Sequence, residues 1–130
     1  MRLPIFEIDR QADSIVVSGI TAIGTIKGIW QGKEAPVIDT VYYVELSIDH
    51  LTELNTEQGA LPAPMVSTNG EIVAFQGLCE TVDEDVYFLR FDIDWLEMID
   101  ISKLTSPKAE GDYFSFSANC YDIKIYPYTL

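Results

Sequence analysis

His50 is the only histidine in the sequence, and Cys79 and Cys120 are its only cysteines. A hydroxyl or thiol nucleophile needs a base beside it, most often a histidine. His50 is therefore the one candidate for that role. It stands in Ile48-Asp49-His50-Leu51, and no Gly-x-Ser-x-Gly elbow accompanies it. A similar segment, described below, places Trp95 at the matching position, so His50 is expected to pack rather than to move protons. Two thiols are too few ligands for a cysteine-based zinc site. Both lie in apolar, strand-like stretches and are expected as buried free thiols, with a disulfide between neighbouring strands as the alternative.

Phosphate and metal chemistry fare no better. Gly28-Ile-Trp-Gln-Gly32-Lys33-Glu34 has three residues between its glycines where a phosphate loop needs four, and Glu follows the lysine where a hydroxyl should reach magnesium. No Gly-x-Gly-x-x-Gly occurs, so a dinucleotide site has no support. Asp83-Glu84-Asp85 lacks the spacing of a calcium loop. With 21 Asp and Glu in the chain, a pair of acids carries almost no information about glycoside hydrolysis. These residues predict no catalytic group, no metal and no cofactor.

Charge is the informative feature. The chain has 130 residues with 8 Lys and Arg against 21 Asp and Glu, a net charge of −13. Such a balance opposes binding to nucleic-acid phosphates, which relies on basic side chains, and to anionic membrane surfaces. Yet 48% of the residues are hydrophobic, which excludes a disordered chain. The length suits one domain. Met1–Glu7 offers no apolar signal core, and no run approaches the ~20 apolar residues of a spanning helix. The expected location is the cytoplasm.

The acids are unevenly placed. Glu80, Asp83, Glu84, Asp85, Asp92, Asp94, Glu97 and Asp100 face only Arg90, a net −7 between positions 80 and 100. Spread evenly over roughly 6,900 Å² of surface, the whole charge would put one or two negatives in an interface of about 800 Å². A concentrated patch would steer a cationic partner and raise its association rate by about 10–10³-fold.

The elements that carry these residues read as strands. Tyr42, Val44, Leu46 and Ile48 alternate with Tyr43, Glu45, Ser47 and Asp49. Tyr87, Leu89, Phe91 and Ile93 alternate with Phe88, Arg90, Asp92 and Asp94. Period-two runs rich in aromatic and β-branched residues are half-buried strands, and similar runs lie at 3–9, 14–18, 21–30, 72–80 and 112–126. The last changes phase near Asn119, which calls for a bulge or tight turn. Asp94 followed by Glu97, with Leu96 and Ile99, suits a short helical turn, as do Leu51 and Leu54 after Asp49. Residues 26–51 and 75–96 resemble one another as two hairpin units, with Gly28 and Gly77 at matching places as expected bends or bulges. Residues 55–70 form a long connection, and a second polar loop spans 102–111.

The predicted fold is mostly β: a single-domain antiparallel sheet forming a sandwich or partly open barrel, with one or two short helical turns. The predicted function is non-enzymatic. In size and charge the chain resembles the small acidic immunity proteins of bacterial toxin systems, which implies a basic toxin such as a nuclease as partner. Asp83, Glu84, Asp85, Tyr87, Asp92, Asp94, Trp95 and Glu97 are the expected partner-binding residues, with Tyr87 and Trp95 as exposed aromatic anchors. A structural assembly subunit and a small-ligand barrel lined by Trp30 and Trp95 are the alternatives.

Overall fold

β-branched and aromatic residues at every second position cover one face of a pleated ribbon, and these stretches form strands. The computed structural model describes residues 1–51, 55–56, 63–100 and 110–128. Its strands are β1 (Arg2–Arg10), β2 (Ile15–Thr21), β3 (Gly24–Trp30), β4 (Val41–Ile48), β5 (Asn55–Thr56), β6 (Met65–Asn69), β7 (Ile72–Asp83), β8 (Val86–Asp92), β9 (Trp95–Asp100), β10 (Tyr113–Asn119) and β11 (Ile123–Tyr128). A 3-10 turn at Cys120–Asp122 separates the last two. Among the described residues no helix is long and apolar enough to cross a membrane.

β1 pairs with β2 and β4, and β2 with β3, giving the 4-1-2-3 order of a Greek key. β11 then enters between β4, antiparallel, and β3, parallel, and closes a five-stranded barrel. Leu3, Ile5, Val17, Ile26, Val44, Ile123 and Ile125 fill its core. The chain between Asp49 and Asp122 is an excursion from this barrel, pinned at its base by the Asp49 N–H donating to the Asp122 carbonyl at 2.9 Å. Within it, the first part of β7 lies between β6 and β10, and its second part pairs with β8, which pairs with β9. A parallel bridge from Gly24 to Val66 joins this sheet to the barrel. Register shifts at Glu80 in β7 and Phe91 in β8 bend the β7–β8–β9 ribbon. Phe75, Phe91, Trp95 and Phe116 pack together beneath it, with ring centroids 4.8–6.4 Å apart.

The mostly-β expectation therefore holds, with a closed barrel and further strands outside it. The phase change at Asn119 is the 3-10 turn, capped by the Asn119 side chain accepting from the Tyr121 N–H at 2.9 Å. Other expectations fail for identifiable reasons. Residues 95–100 are a strand, not a helical turn: Trp95 and Ile99 point inward with Glu97 between them, and a carboxylate in that inward place hides the alternation. Leu51 is not helical, and residues 52–54 lie outside those described. The 55–70 connection contains β5 and β6, while 57–62 and most of the 102–111 loop lie outside the described residues. The two-hairpin echo is one of sequence only. β7 and β8 do form a hairpin, but β3 and β4 are not partners; β11 lies between them. Cys79 and Cys120 are free and buried, and burial raises both thiol pKa values.

Gly28 and Gly77 are not bends but points of close approach. A Cβ on Gly28 would sit 2.8 Å from the Ile123 carbonyl oxygen, at the parallel closure; one on Gly77 would sit 2.9 Å from the Phe91 ring. Overpacking of this kind costs about 1–3 kcal/mol. Gly28→Ala is expected at the upper end in urea unfolding, because backbone cannot move aside. Gly77→Ala is expected to recover in a double-mutant cycle with Phe91→Leu, which removes the ring.

Candidate functional site

The acidic residues between Glu80 and Asp100 ride on the β7–β8–β9 ribbon, and its hairpins divide them into two groups. Asp83, Glu84 and Asp85 occupy the β7–β8 tip, where Glu84 adopts a left-handed φ of 51°. Asp92 and Asp94 lie at the opposite tip, joining β8 to β9. β8 separates these tips by about 20 Å at the usual rise per residue. Asp92 and Asp94 do not share a strand face as their spacing suggests. Asp94 belongs to the turn after Ile93, and the Asp92 carboxylate accepts the Ile93 N–H at 2.8 Å, which fixes that turn. Ile93 stands 92% exposed at the tip.

Both expected aromatic anchors are core residues. Tyr87 is fully buried against Phe114, ring centroids 5.0 Å apart, because it shares the inward face of β8 with Leu89 and Phe91. Trp95 is 3% exposed and packs on Phe91 at 4.8 Å. Trp30, the other tryptophan considered for a ligand pocket, is also buried, with its indole N–H donating to the Glu34 carbonyl at 2.8 Å.

The outward face combines Phe88, which the sequence already places among the acids, with Leu96 and Met98, which it does not. Cross-strand register sets Arg90 opposite Leu96, Phe88 opposite Met98, and Leu78 opposite Arg90. Side chains directly opposite in a ladder point the same way, so Phe88, Leu96 and Met98 form one outward apolar stripe, with Met98 69% exposed. Carrying the β8 alternation through the 92–95 turn would have found them. Arg90 lies on this face without supplying a free positive charge. It binds Glu80 through Nε and Nη2 at 3.0–3.2 Å and reaches the Asp92 and Ile93 carbonyls at 3.3–3.4 Å through Nη1. It ties the β7 bulge to the far tip. Glu80 and Asp83 border the stripe along β7, and Arg90 is already engaged by Glu80; Asp92 and Asp94 sit at the β8–β9 tip beside Arg2, Pro4 and Ile20.

Adjoining this face, a cleft of about 570 Å³ runs between Asp94–Met98, with Arg90, and the Val44–Ile48 segment of β4, and Met1 and Tyr128 also line it. Glu97 faces it and accepts the Trp95 indole N–H at 3.0 Å. Burial pushes the Glu97 carboxyl up to about 7; the Trp95 bond and the chain's amino group oppose this, and Glu45 adds to it.

His50 does not pack. Its side chain is 83% exposed, and Nδ1 lies 3.3 Å from the Asp122 carboxylate. The matching Trp95 is buried because it begins a strand folded over the aromatic cluster, whereas His50 follows a strand that ends at the barrel rim. A shallow cavity of about 240 Å³ adjoins it, lined also by Ile72, Ser117 and Asn119. Nearby, Lys124 bonds Asp49 at 3.0 Å, which lowers the Asp49 pKa and raises that of Lys124. Among the described residues no group of three or more His, Cys, Asp or Glu is placed to hold a metal ion.

An unfolded glutamate ionises near 4.5, so between that value and about 7 the folded chain keeps a proton that the unfolded chain has released. This contribution to stability is complete below about pH 4.5 and is lost as pH rises through 7. Glu97→Gln, which keeps an acceptor for Trp95, should flatten that slope. Above pH 7 it should be more stable than the parent by up to about 3 kcal/mol in urea titrations. Comparison with known protein families, with curated proteins and with solved structures finds no match.

Proposed function

We propose that the chain is a non-enzymatic binding protein that docks a basic protein and, in the manner of an immunity protein, neutralises a basic toxin such as a nuclease. The observation that carries this reading is the outward face of β7–β8–β9. An apolar stripe of Phe88, Leu96 and Met98 is bordered by carboxylates on a chain of net charge −13. Interfaces are built in this way, with an apolar centre that excludes water inside a polar rim. The rim here is predominantly negative, with Arg90 bound to Glu80. Its carboxylates would speed encounter with a cationic surface, and the stripe would set the lifetime of the complex. A nuclease is the natural target class, because a cleft that holds phosphate must be positive.

Two of the residues first expected to make contact are replaced in this proposal. Tyr87 and Trp95 support the face from beneath; Phe88, Leu96 and Met98 meet the partner, along with Asp83, Glu84, Asp85, Asp92 and Asp94. Glu97 lines the adjoining cleft, which Asp94, Leu96 and Met98 also border.

The test begins with capture of partners from lysate of the source cell, followed by assay of the captured protein's own activity with and without this chain. A basic protein whose activity is suppressed is the expected result. Neutralising Asp83, Asp85, Asp92 and Asp94 as asparagines should slow association about tenfold or more at low salt, with the difference fading at high salt. Met98→Ser should leave association unchanged and hasten dissociation. A partner that is acidic, or whose binding is indifferent to both changes, overturns the proposal.

A further inference from the structure

The turn between β8 and β9 presents a side chain that folding does not call for. Asp92 pairs with Trp95, so Ile93 and Asp94 alone reverse the chain. Short turns favour Gly, Asn, Asp, Ser and Pro. A β-branched apolar residue adds nothing to such a turn: Ile93 is 92% exposed, the highest value for a large apolar side chain among the described residues. The turn is nevertheless firmly held. The Asp92 carboxylate accepts the Ile93 N–H at 2.8 Å, and Arg90 Nη1 donates to the Asp92 and Ile93 carbonyls at 3.4 and 3.3 Å. The guanidinium is itself fixed, because Nε and Nη2 donate to Glu80 on β7 at 3.0–3.2 Å. One planar fork thus braces the tip against β7. The turn is also unstrained, since the non-glycine residues of positive φ, Asp39 and Glu84, lie elsewhere.

We propose that this tip is a preformed knob: Ile93 enters an apolar pocket rimmed by lysine or arginine on the basic partner, and Arg90 is the residue that positions it. The inference rests on the docking function proposed above and adds a contact to it. The tip lies beside Arg2, Pro4 and Ile20 of the barrel, whereas the stripe of Phe88, Leu96 and Met98 runs along the ribbon. Exposure selects the floor of the pocket, because an aliphatic side chain held out in water gains by burial. Charge selects the rim. Asp92 and Asp94 flank Ile93 on a chain of net charge −13, so they repel an acidic rim and attract a basic one. Rigidity makes the contact effective. A group ordered before contact loses little freedom on binding, and a few anchors seated in pockets carry most of an interface's energy.

The probe is the basic protein captured with this chain, purified, with association and dissociation followed separately. Ile93→Ser should weaken binding about thirtyfold or more, mainly through faster dissociation. Its urea midpoint should match that of the parent, because the exposed side chain supports nothing in the free protein. Ile93→Val, which keeps the branched shape, should recover most of the loss. Arg90→Lys keeps the charge but cannot fork between Glu80 and the turn. In the free protein, NMR order parameters at Ile93 and Asp94 should be about 0.85, and in Arg90→Lys they should fall below about 0.6. Arg90→Lys should also weaken binding about tenfold in the parent, and by less than about threefold where Ile93 is already serine. A tip already mobile in the parent, or partner binding that is indifferent to Ile93→Ser, overturns the knob. So does a variant that loses self-association rather than partner binding. The outcomes separate the two proposals. If Ile93→Ser binds as the parent does while Met98→Ser dissociates faster, only the knob is lost; if no basic protein is captured, the docking function fails and the knob with it.

Discussion

The architecture depends on the closure of the barrel by its last strand. β11 joins β3 in parallel and β4 in antiparallel, and the parallel contact requires backbone to approach backbone at Gly28, where a side chain would strike the Ile123 carbonyl. The first four strands of the Greek key leave a gap between β3 and β4 that only a segment from the far end of the chain fills. Everything between Asp49 and Asp122 must therefore leave and return to one point. The Asp49–Asp122 backbone bond and the Lys124–Asp49 ion pair mark that point. Closure also pairs most strand edges of the barrel.

The excursion owes its shape to two irregularities. The shift at Glu80 turns β7 from its role between β6 and β10 toward β8, and the shift at Phe91 lets the short Asp92–Trp95 turn reverse the chain. Arg90 connects the two by bonding Glu80 on one side and the turn carbonyls on the other. The bent ribbon rests on an aromatic cluster and keeps its inward face apolar, except at Glu97. Among the described residues no cationic side chain is bonded to that acid, and its high pKa follows from burial. A group of this kind costs stability near neutral pH.

Charge and apolar surface are combined differently here than a linear count of acids suggests. The residues from Glu80 to Asp100 do not merge into a single negative field. One group crowns the β7–β8 tip, another the β8–β9 tip, and the apolar stripe lies along the ribbon that joins them. Such spacing suits a broad partner surface contacted at both ends and sealed in the middle.

The alternation of residue types was enough to determine that the chain is built of strands and which side of most strands is apolar. Tyr42, Val44, Leu46 and Ile48 face the barrel core, and Tyr87, Leu89 and Phe91 face the sheet core, as period two requires. Local sterics set that period, so it survives in the sequence. Composition likewise determined the net charge and the lack of familiar catalytic motifs. Tertiary structure decided the rest. Pairing between strands is a contact between distant residues, so nothing in residues 26–51 reveals that β11 will part β3 from β4. Bulges reset the phase of alternation without leaving a reliable mark, and Glu97 in an inward place concealed a whole strand. Whether an aromatic beside acids is an anchor or a foundation depends on which face the fold covers. For Tyr87 and Trp95 that was settled by the sheet folding back on itself, which packs Tyr87 on Phe114 and Trp95 on Phe75 and Phe91.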